Sequence, residues 1–246
     1  MMSIMKALAF LALLLFSPMV VLAADAPPLR VVMFSGSSEY NSNDSLAGFK
    51  KLLEEKYHCQ CTLNVVEEKG TKLPGIEGLE TADVAIFFTR RVSLSDDQLA
   101  RIKAFIKARK GVVGVRTASH GFQTWLEFDP QVLGGSYNNH YGKDATAEIS
   151  IDEKAKAHPI LAGIKSFSTT GKLYKNPKLA DDATLLLRAK TESYSEPVAW
   201  SREAKAGERG RVFYTSLGTP EDFKNEQFRQ MLANAVMWAS GREAAK

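Results

Sequence analysis

Short apolar runs and amphipathic stretches alternate along the first half of the chain. Residues 29–34, 59–66, 83–89 and 111–115 are rich in apolar and β-branched side chains, which predicts four strands, the last two buried on both faces. Apolar side chains recur at helical spacing between the first and second runs, and again between the third and fourth. This order predicts a mostly parallel sheet with helices on both faces.

Polar residues mark where the two helices begin. Asp44 and Ser45 are both good N-caps, so we expect the first helix to begin near them. Ser95 and Gln98 have the spacing of a capping box, which opens the second helix. Gly111 ends that helix and leads into the fourth strand.

The second half of the chain has a different pattern. Residues 123–139 show no clear periodicity, and the strand-like segments that follow read as antiparallel additions to the sheet. These segments are residues 145–151, 184–189 and 197–200. A last strand at residues 211–216 precedes an amphipathic helix that stops at Gly241. We expect one domain over residues 25–246.

The N-terminus precedes this predicted fold. Lys6 is followed by the apolar residues 7–16 and by Pro18, and a small-residue site ends at Ala24. These features are typical of a secretory signal peptide, so residues 1–24 are expected to be removed and the mature protein to be exported, periplasmic or secreted. An uncleaved anchor is the alternative, but the run is short and interrupted, so stable membrane insertion is not expected.

Charge and cysteine content narrow the classes of function. The 246 residues have a formal net charge of +4 without a long basic run, so nucleic acid is not an expected partner. Cys59 and Cys61 are two residues apart, where a disulfide would be strained. We interpret them as buried thiols, with a disulfide formed after export as the alternative.

Polar side chains gather directly after the fourth strand. Arg116, Thr117, Ser119 and His120 follow Val115 almost without interruption. Chemistry in open α/β sheets takes place at the carboxyl ends of strands, so we expect the site here. His120 is the strongest acid–base candidate because its ordinary pKa lies close to neutrality. A histidine that is only hydrogen-bonded in a loop is the alternative.

Arg116 has a structural and a functional interpretation. A guanidinium at the end of a buried strand needs partners, either an acid such as Glu39 or Glu127, or a carboxylate, carbonyl or hydroxyl of a substrate. Because a guanidinium stays protonated, it cannot attack a substrate, and neither cysteine lies near this element. Amidotransferase and cysteine-hydrolase chemistry are therefore not expected.

Ser119 also has two interpretations. We expect its hydroxyl to cap the short helical turn that follows. A serine hydrolase is the other interpretation, but adjacent residues such as Ser119 and His120 rarely present their side chains to each other for proton transfer. Ser119 would then need His140 or His158 as its partner.

Three segments resemble the ThuA-like (trehalose utilisation) family. They are residues 114–120, the turn at residues 158–160, and residues 210–218 with the helix behind them. The resemblance implies a class I glutamine amidotransferase-like, flavodoxin-like three-layer α/β sandwich and a role in carbohydrate utilisation. Two positions depart from the family's usual pattern: Arg116 stands where a histidine is usual, and the segment before Tyr174 lacks the usual acidic pair.

The leading hypothesis is an exported ThuA-like protein that acts on a sugar or keto-sugar derivative by acid–base chemistry. His120 is the expected acid or base, with Arg116 and Tyr174 orienting or polarising the substrate. Aromatic faces and amide or hydroxyl groups on the nearby loops suit a small carbohydrate ligand. The expected substrate-binding residues are Ser37, Glu39, Tyr40, Arg90, Ser119, Tyr137, Asn139, His140, Tyr141, His158 and Asn176.

A non-catalytic sugar-binding or interaction module of an exported degradation system is the alternative function. Formation of a homo-oligomer is compatible with either function. No cofactor is predicted. A divalent metal on His120, His140 and an acid is a minor alternative, because no H-x-x-x-H or H-x-H spacing supports it. Phosphate binding at residues 35–38 is physically sensible, but the glycine pattern of a nucleotide loop is missing.

Overall fold

The computed structural model describes residues 27–242, which form one nine-stranded sheet with helices on both faces. The predicted signal peptide, residues 1–24, lies outside the described residues. Within residues 27–242, no helix has the length and apolar character needed to cross a membrane.

Nine strands and three α-helices make up the regular structure of residues 27–242. The strands are β1 (Leu29–Gly36), β2 (Cys59–Val65), β3 (Val84–Thr89), β4 (Gly111–Val115), β5 (Ala145–Ile151), β6 (Phe167–Gly171), β7 (Ala183–Lys190), β8 (Ser195–Arg202) and β9 (Val212–Thr215). The helices are α1 (Ser42–Lys56), α2 (Asp96–Lys107) and α3 (Glu226–Ala239). A π-helical turn, Phe128–Leu133, lies in the segment without periodicity.

The sheet has a parallel half and an antiparallel half. Its order is β2-β1-β3-β4-β9-β8-β7-β5-β6. The first five strands in this order are parallel, whereas β8, β7, β5 and β6 continue the sheet through antiparallel pairs. The predicted mostly parallel sheet with antiparallel additions is confirmed. The carboxyl ends of β1, β3, β4 and β9 therefore meet at one edge.

Burial explains why the parallel half forms where the apolar runs predict it. Every residue of β3, β4 and β9 is buried. Helices α1 and α3 pack in the core on one face, and α2 packs in the core on the other. Cys59 and Cys61 are buried in the α1 face, as the interpretation of buried thiols requires.

Two predicted helix starts differ from the observed ones in detail. Helix α1 begins at Ser42, with Asn41 before it, rather than at Asp44 or Ser45. Helix α2 begins as predicted, but no capping box forms, since the Gln98 amide oxygen accepts the Leu73 amide proton at 2.7 Å instead. Gln98 Nε2 still donates to Ser95 Oγ at 3.3 Å, so the two side chains meet without the backbone hydrogen bonds of a capping box.

Candidate functional site

The chain leaves β4 through a strained turn at Arg116. Its φ of +45° lies in the left-handed region that non-glycine residues rarely adopt, as in the sharp elbows that present catalytic nucleophiles. Two hydroxyls fix the turn, because Tyr214 donates to the Arg116 carbonyl at 2.7 Å and Ser119 donates to it at 3.3 Å. Gly218 passes so close that a Cβ there would lie 2.8 Å from a methyl of Val115.

The Arg116 side chain points into the protein and is only 2% exposed. Its Nη1 donates to the Ser216 carbonyl at 2.7 Å and its Nη2 donates to the Lys172 carbonyl at 3.1 Å. The guanidinium carbon lies 4.0 Å from the ring centre of Tyr40 and 4.8 Å from that of Tyr174. A buried cation thus lies between two aromatic rings, whose faces attract positive charge.

The ion pair expected for a purely structural Arg116 is not formed. Neither Glu39 nor Glu127 contacts Arg116; Glu39 pairs with Arg90 at 3.2 Å. Arg90 also pairs with Glu68, so it has two carboxylate partners. Among the described residues, Arg116 has no carboxylate within ion-pair distance, and the two hydrogen bonds described above go to backbone carbonyls.

His120 lies in the same cluster and is held by aromatic side chains. Its ring is stacked on Tyr137 with 4.4 Å between centres and an angle of 22°. The centre of the Tyr174 ring is 5.9 Å away. Ser119 Oγ lies 3.2 Å from His120 Nδ1, so these adjacent side chains do meet, contrary to expectation.

Burial and positive charge keep His120 neutral. The pKa of His120 is lowered to about 3, first by burial and then by the charges of Arg91, Arg90 and Arg116. At neutral pH the imidazole can accept a proton but has none to give up as an imidazolium. Of the two expected roles for His120, acid or base, an uncharged imidazole favours that of a base.

Ser119 does not cap the helical turn that follows β4. Its hydroxyl contacts the Arg116 carbonyl and the His120 ring instead. Within residues 27–242, no carboxylate is hydrogen-bonded to the His120 ring to complete a triad. The serine–histidine pair is thus present without the acid that orients such a histidine.

The segment before Tyr141 positions Tyr174 through the backbone. His140 and Tyr174 form an antiparallel bridge, and the Asn139 carbonyl accepts the Lys175 amide proton at 3.0 Å. The His140 ring makes its contact with the Tyr141 carbonyl, at 2.9 Å from Nδ1. Asn139 and His140 therefore support the cluster by backbone pairing, and the His140 ring bonds away from His120.

Tyr141 and Asn176 lie around Glu196. The Tyr141 hydroxyl donates to one oxygen of Glu196 at 2.8 Å, which raises the pKa of Tyr141 to about 12. The backbone amide of Asn176 donates to the other oxygen of Glu196 at 3.0 Å. Both polar atoms of the buried Asn176 side chain have no hydrogen-bond partner in the described structure. One face of the Tyr141 ring is stacked on Tyr194, with 3.6 Å between ring centres, and Lys175 Nζ lies 4.8 Å from the Tyr141 ring centre.

His158 lies away from this cluster. Its Nδ1 accepts the Ile160 amide proton at 3.2 Å, and its Nε2 lies 3.1 Å from Ser201 Oγ. The ring packs on Trp238, whose carbonyl bonds Arg211 just before β9 begins. His158 is therefore at the amino-terminal end of the parallel strands, opposite the site, where it caps a turn.

Several buried polar atoms at the site edge have no hydrogen-bond partner in the described structure. They include Ser37 Oγ, Thr89 Oγ1, Arg116 Nε, Thr117 Oγ1 and Ser216 Oγ. All five belong to the ends of β1, β3, β4 and β9 or to the residues just after them. Buried polar groups are nearly always satisfied in proteins, so this concentration is typical of a place where water or a ligand binds.

A cavity of about 330 Å³ opens beside Arg116. Its polar lining residues are Glu39, Tyr40, Arg116, Asp144, Lys172 and Glu221, with Thr170 and Thr219. We name Arg116, His120, Tyr40, Tyr137 and Tyr174 the Arg116 cluster. Within residues 27–242, no group of three His, Cys, Asp or Glu side chains is arranged to hold a metal ion.

Sequence comparison decides the family. The model of the family described as ThuA, trehalose utilisation, matches residues 30–239. This range contains the three helices and the nine strands described above, apart from Leu29 at the start of β1. The protein belongs to the ThuA family. No curated protein matches this ThuA-like chain.

Solved structures share the ThuA-like fold. A putative ThuA-like protein from Bacteroides uniformis is 19% identical with a TM-score of 0.68, over 88% of this chain and 93% of that one. Another from Parabacteroides merdae is 17% identical with a TM-score of 0.69, over 89% and 92%. A glutamine amidotransferase from Thermotoga maritima is 13% identical with a TM-score of 0.52, over 86% and 98%. These confirm the predicted amidotransferase-like sandwich.

The two positions that we expect to depart from the usual ThuA-like pattern contact each other. Arg116 donates to the carbonyl of Lys172, which lies in the segment that lacks the acidic pair. Gly171, just before it, has a φ of +141°, a conformation that glycine adopts without strain. Tyr174 packs against the same guanidinium. Arg116 and this segment therefore form one unit.

Asp129 is a site-supporting residue that the sequence pattern did not reveal. It lies in the π-helical turn, is buried, and accepts the Tyr137 amide proton at 2.7 Å through Oδ2. Its backbone carbonyl accepts the amide protons of Gly134 and Gly135. Burial raises the pKa of Asp129 to about 6, although the Tyr137 amide opposes this. Because this segment lacks periodicity, the sequence contains one weak signal for Asp129, an acid placed among the apolar residues Phe128 and Val132.

Replacing Asp129 by leucine is expected to expose His120. The Tyr137 amide loses its acceptor, the ring that covers His120 is no longer tethered, and the pKa of His120 should rise from about 3 toward its ordinary value. Titration of the histidine ring protons by NMR measures this. Asp129→Asn keeps an acceptor oxygen and should leave the His120 pKa low. An unchanged His120 pKa in Asp129→Leu would contradict the tether.

Proposed function

We propose that this ThuA-like protein is exported and binds a sugar or keto-sugar derivative at the Arg116 cluster, where His120 acts on it as a base. The observation that carries the proposal is the pairing of a buried guanidinium that lacks a carboxylate partner with a neutral imidazole at one sheet edge. A fixed cation polarises a carbonyl or stabilises an oxyanion in a dry site. A neutral imidazole can remove the proton that such polarisation acidifies.

Tyr174 supports this assignment as a hydrogen-bond donor. It is 2% exposed, and burial raises its pKa well above the ordinary value, although Arg116 opposes the shift. Its phenol therefore stays protonated at every physiological pH. A protonated phenol beside the guanidinium can donate to a substrate oxygen, which suits the orienting role expected for Tyr174.

A non-catalytic sugar-binding module is the second candidate, and the same histidine favours it. General bases work best when their pKa lies close to the working pH, and an imidazole with a pKa of about 3 is a weak base at neutrality. The Ser119 contact also occupies one of its two ring nitrogens. A protein that only binds its ligand needs no general base, so neither the low pKa of His120 nor its contact with Ser119 would impair it.

A ligand panel tests the proposal on the mature protein. Thermal-shift measurements with neutral sugars, keto-sugars and sugar acids should reveal a stabilising ligand, and NMR of the mixture should show a product. His120→Gln is expected to abolish product formation while binding remains. Saturable binding in calorimetry with no product would favour the binding module. If no member of the panel shifts the melting temperature, the proposed carbohydrate function is wrong.

A further inference from the structure

The atoms that the Arg116 cluster offers to a ligand are almost all donors. Arg116 Nε is buried without a partner. Within residues 27–242, the hydroxyls of Tyr137 and Tyr174 make no hydrogen bond to protein, and both phenols keep their protons because burial raises their pKa. Guanidinium nitrogens only donate, whereas a phenol mainly donates here. A ligand that satisfies these groups must present acceptor oxygens.

Positive charge at this edge is not fully balanced by the protein. Arg90 is neutralised by Glu68 and Glu39. Neither Arg91 nor Arg116 has a carboxylate within ion-pair distance among the described residues. Their charges, together with that of Arg90, act on the same His120 ring and on Tyr137.

The acids around the site do not remove this excess. Asp222 acts on Arg116 from a distance, but its oxygens already accept from Thr169 and from the amides of Gly218 and Thr219. At the cavity rim, Glu221 pairs with Lys224. The remaining rim charges, Asp144 and Lys172, are opposite in sign.

We propose that the ligand of the Arg116 cluster is a sugar acid whose carboxylate is bound by Arg116, with the cluster tyrosines donating to it. This inference rests on the proposed carbohydrate function and names its substrate class. A carboxylate is planar, as is the guanidinium fork, and the charge-assisted hydrogen bonds between them are strong. Binding would also give the buried cation the counter-charge that it lacks.

A phosphorylated sugar would supply the same charge, but the structure favours the carboxylate. Phosphate groups usually bind backbone amides at the loop before a helix. In the loop that follows β1, the Ser38 amide and hydroxyl already donate to Glu68, at 2.8 and 2.6 Å. The protein's own carboxylate thus occupies the place where a phosphate would bind.

Calorimetry with matched ligands tests the inference. Glucuronate and gluconate should bind at least about tenfold more tightly than glucose, and more tightly than a hexose phosphate, with affinity that falls as salt is added. Arg116→Met should remove the preference for the acid. Arg188→Met, which removes one charge from an exposed position on β7, is the matched control and should keep it.

Each other outcome has a distinct meaning. If glucose binds as well as glucuronate, the carbohydrate function holds and the sugar-acid inference is wrong. If the hexose phosphate binds more tightly than both acids, the choice of a carboxylate is wrong. If no ligand of the set binds to protein that circular dichroism shows to be folded, the proposed function itself fails. A preference for the acid that survives Arg116→Met would assign the carboxylate to another cation.

Discussion

Arg116→Met is expected to weaken glucuronate binding at least about tenfold while changing the free energy of unfolding by no more than about 1 kcal/mol. The variant removes the only buried cation of the cluster, so the ligand loses its charge-assisted hydrogen bonds. The protein loses two hydrogen bonds to carbonyls and two ring contacts, but it no longer has to bury a charge without a carboxylate partner. Calorimetry and urea denaturation measure the two effects.

Arg202 is the matched control, because it is a buried arginine with a carboxylate partner. Its Nε donates to Asp182 at 2.8 Å, and its Nη1 donates to the carbonyls of Gln131 and Val132. Arg202→Met should therefore lower the free energy of unfolding by about 2–3 kcal/mol. If Arg116→Met destabilises the protein as much as Arg202→Met does, Arg116 is a structural residue and not a ligand-binding one.

His120→Gln is expected to change how stability depends on pH. In the folded protein the His120 pKa is lowered to about 3, below its value of about 6.5 in the unfolded chain. As pH falls from about 6.5 toward about 3, the unfolded chain takes up a proton that the folded one refuses, so up to about 4 kcal/mol of stability is lost. The variant should lack this loss, and urea denaturation along a pH series measures it.

Asp129 supplies the internal check because its shift has the opposite sign. Its folded pKa of about 6 lies above the unfolded value, so its contribution to stability is lost as pH rises from about 4 to about 6. Asp129→Asn should therefore gain stability over the wild type as pH rises through that range.

For His120, the contradicting result is a constant difference. If the free energies of unfolding of the wild type and His120→Gln differ by the same amount near pH 7 and near pH 4, the histidine is not held neutral by the fold.

The parallel half of the fold could be predicted from the sequence because its burial is continuous. Runs such as those of β3 and β4 have no polar face, and only a sheet covered on both sides accommodates them. The same runs end in Arg90, Arg116 and His120, so their meeting at one sheet edge follows from topology alone. The resemblance to the ThuA-like family added the prediction that this sheet belongs to an amidotransferase-like three-layer sandwich.

The detailed site could not be predicted because its contacts join distant parts of the chain. Arg116 bonds the carbonyl of Ser216, 100 residues away, and Tyr214 bonds back across 98 residues. Tyr214 lies in an apolar strand, where it reads as core. From its place before Pro159, His158 could be a turn residue or a pocket wall, and its ring nitrogens contact a turn and Ser201. A local sequence pattern does not show which distant residue a side chain will contact.

The strained turn after β4 is held through its carbonyl as well as through the Arg116 side chain. Tyr214 and Ser119 both donate to the main-chain oxygen of Arg116, and these two hydrogen bonds do not depend on which side chain position 116 carries. A mutation at this one codon therefore changes the side chain at the sheet edge while the hydrogen bonds from Tyr214 and Ser119 to the backbone remain.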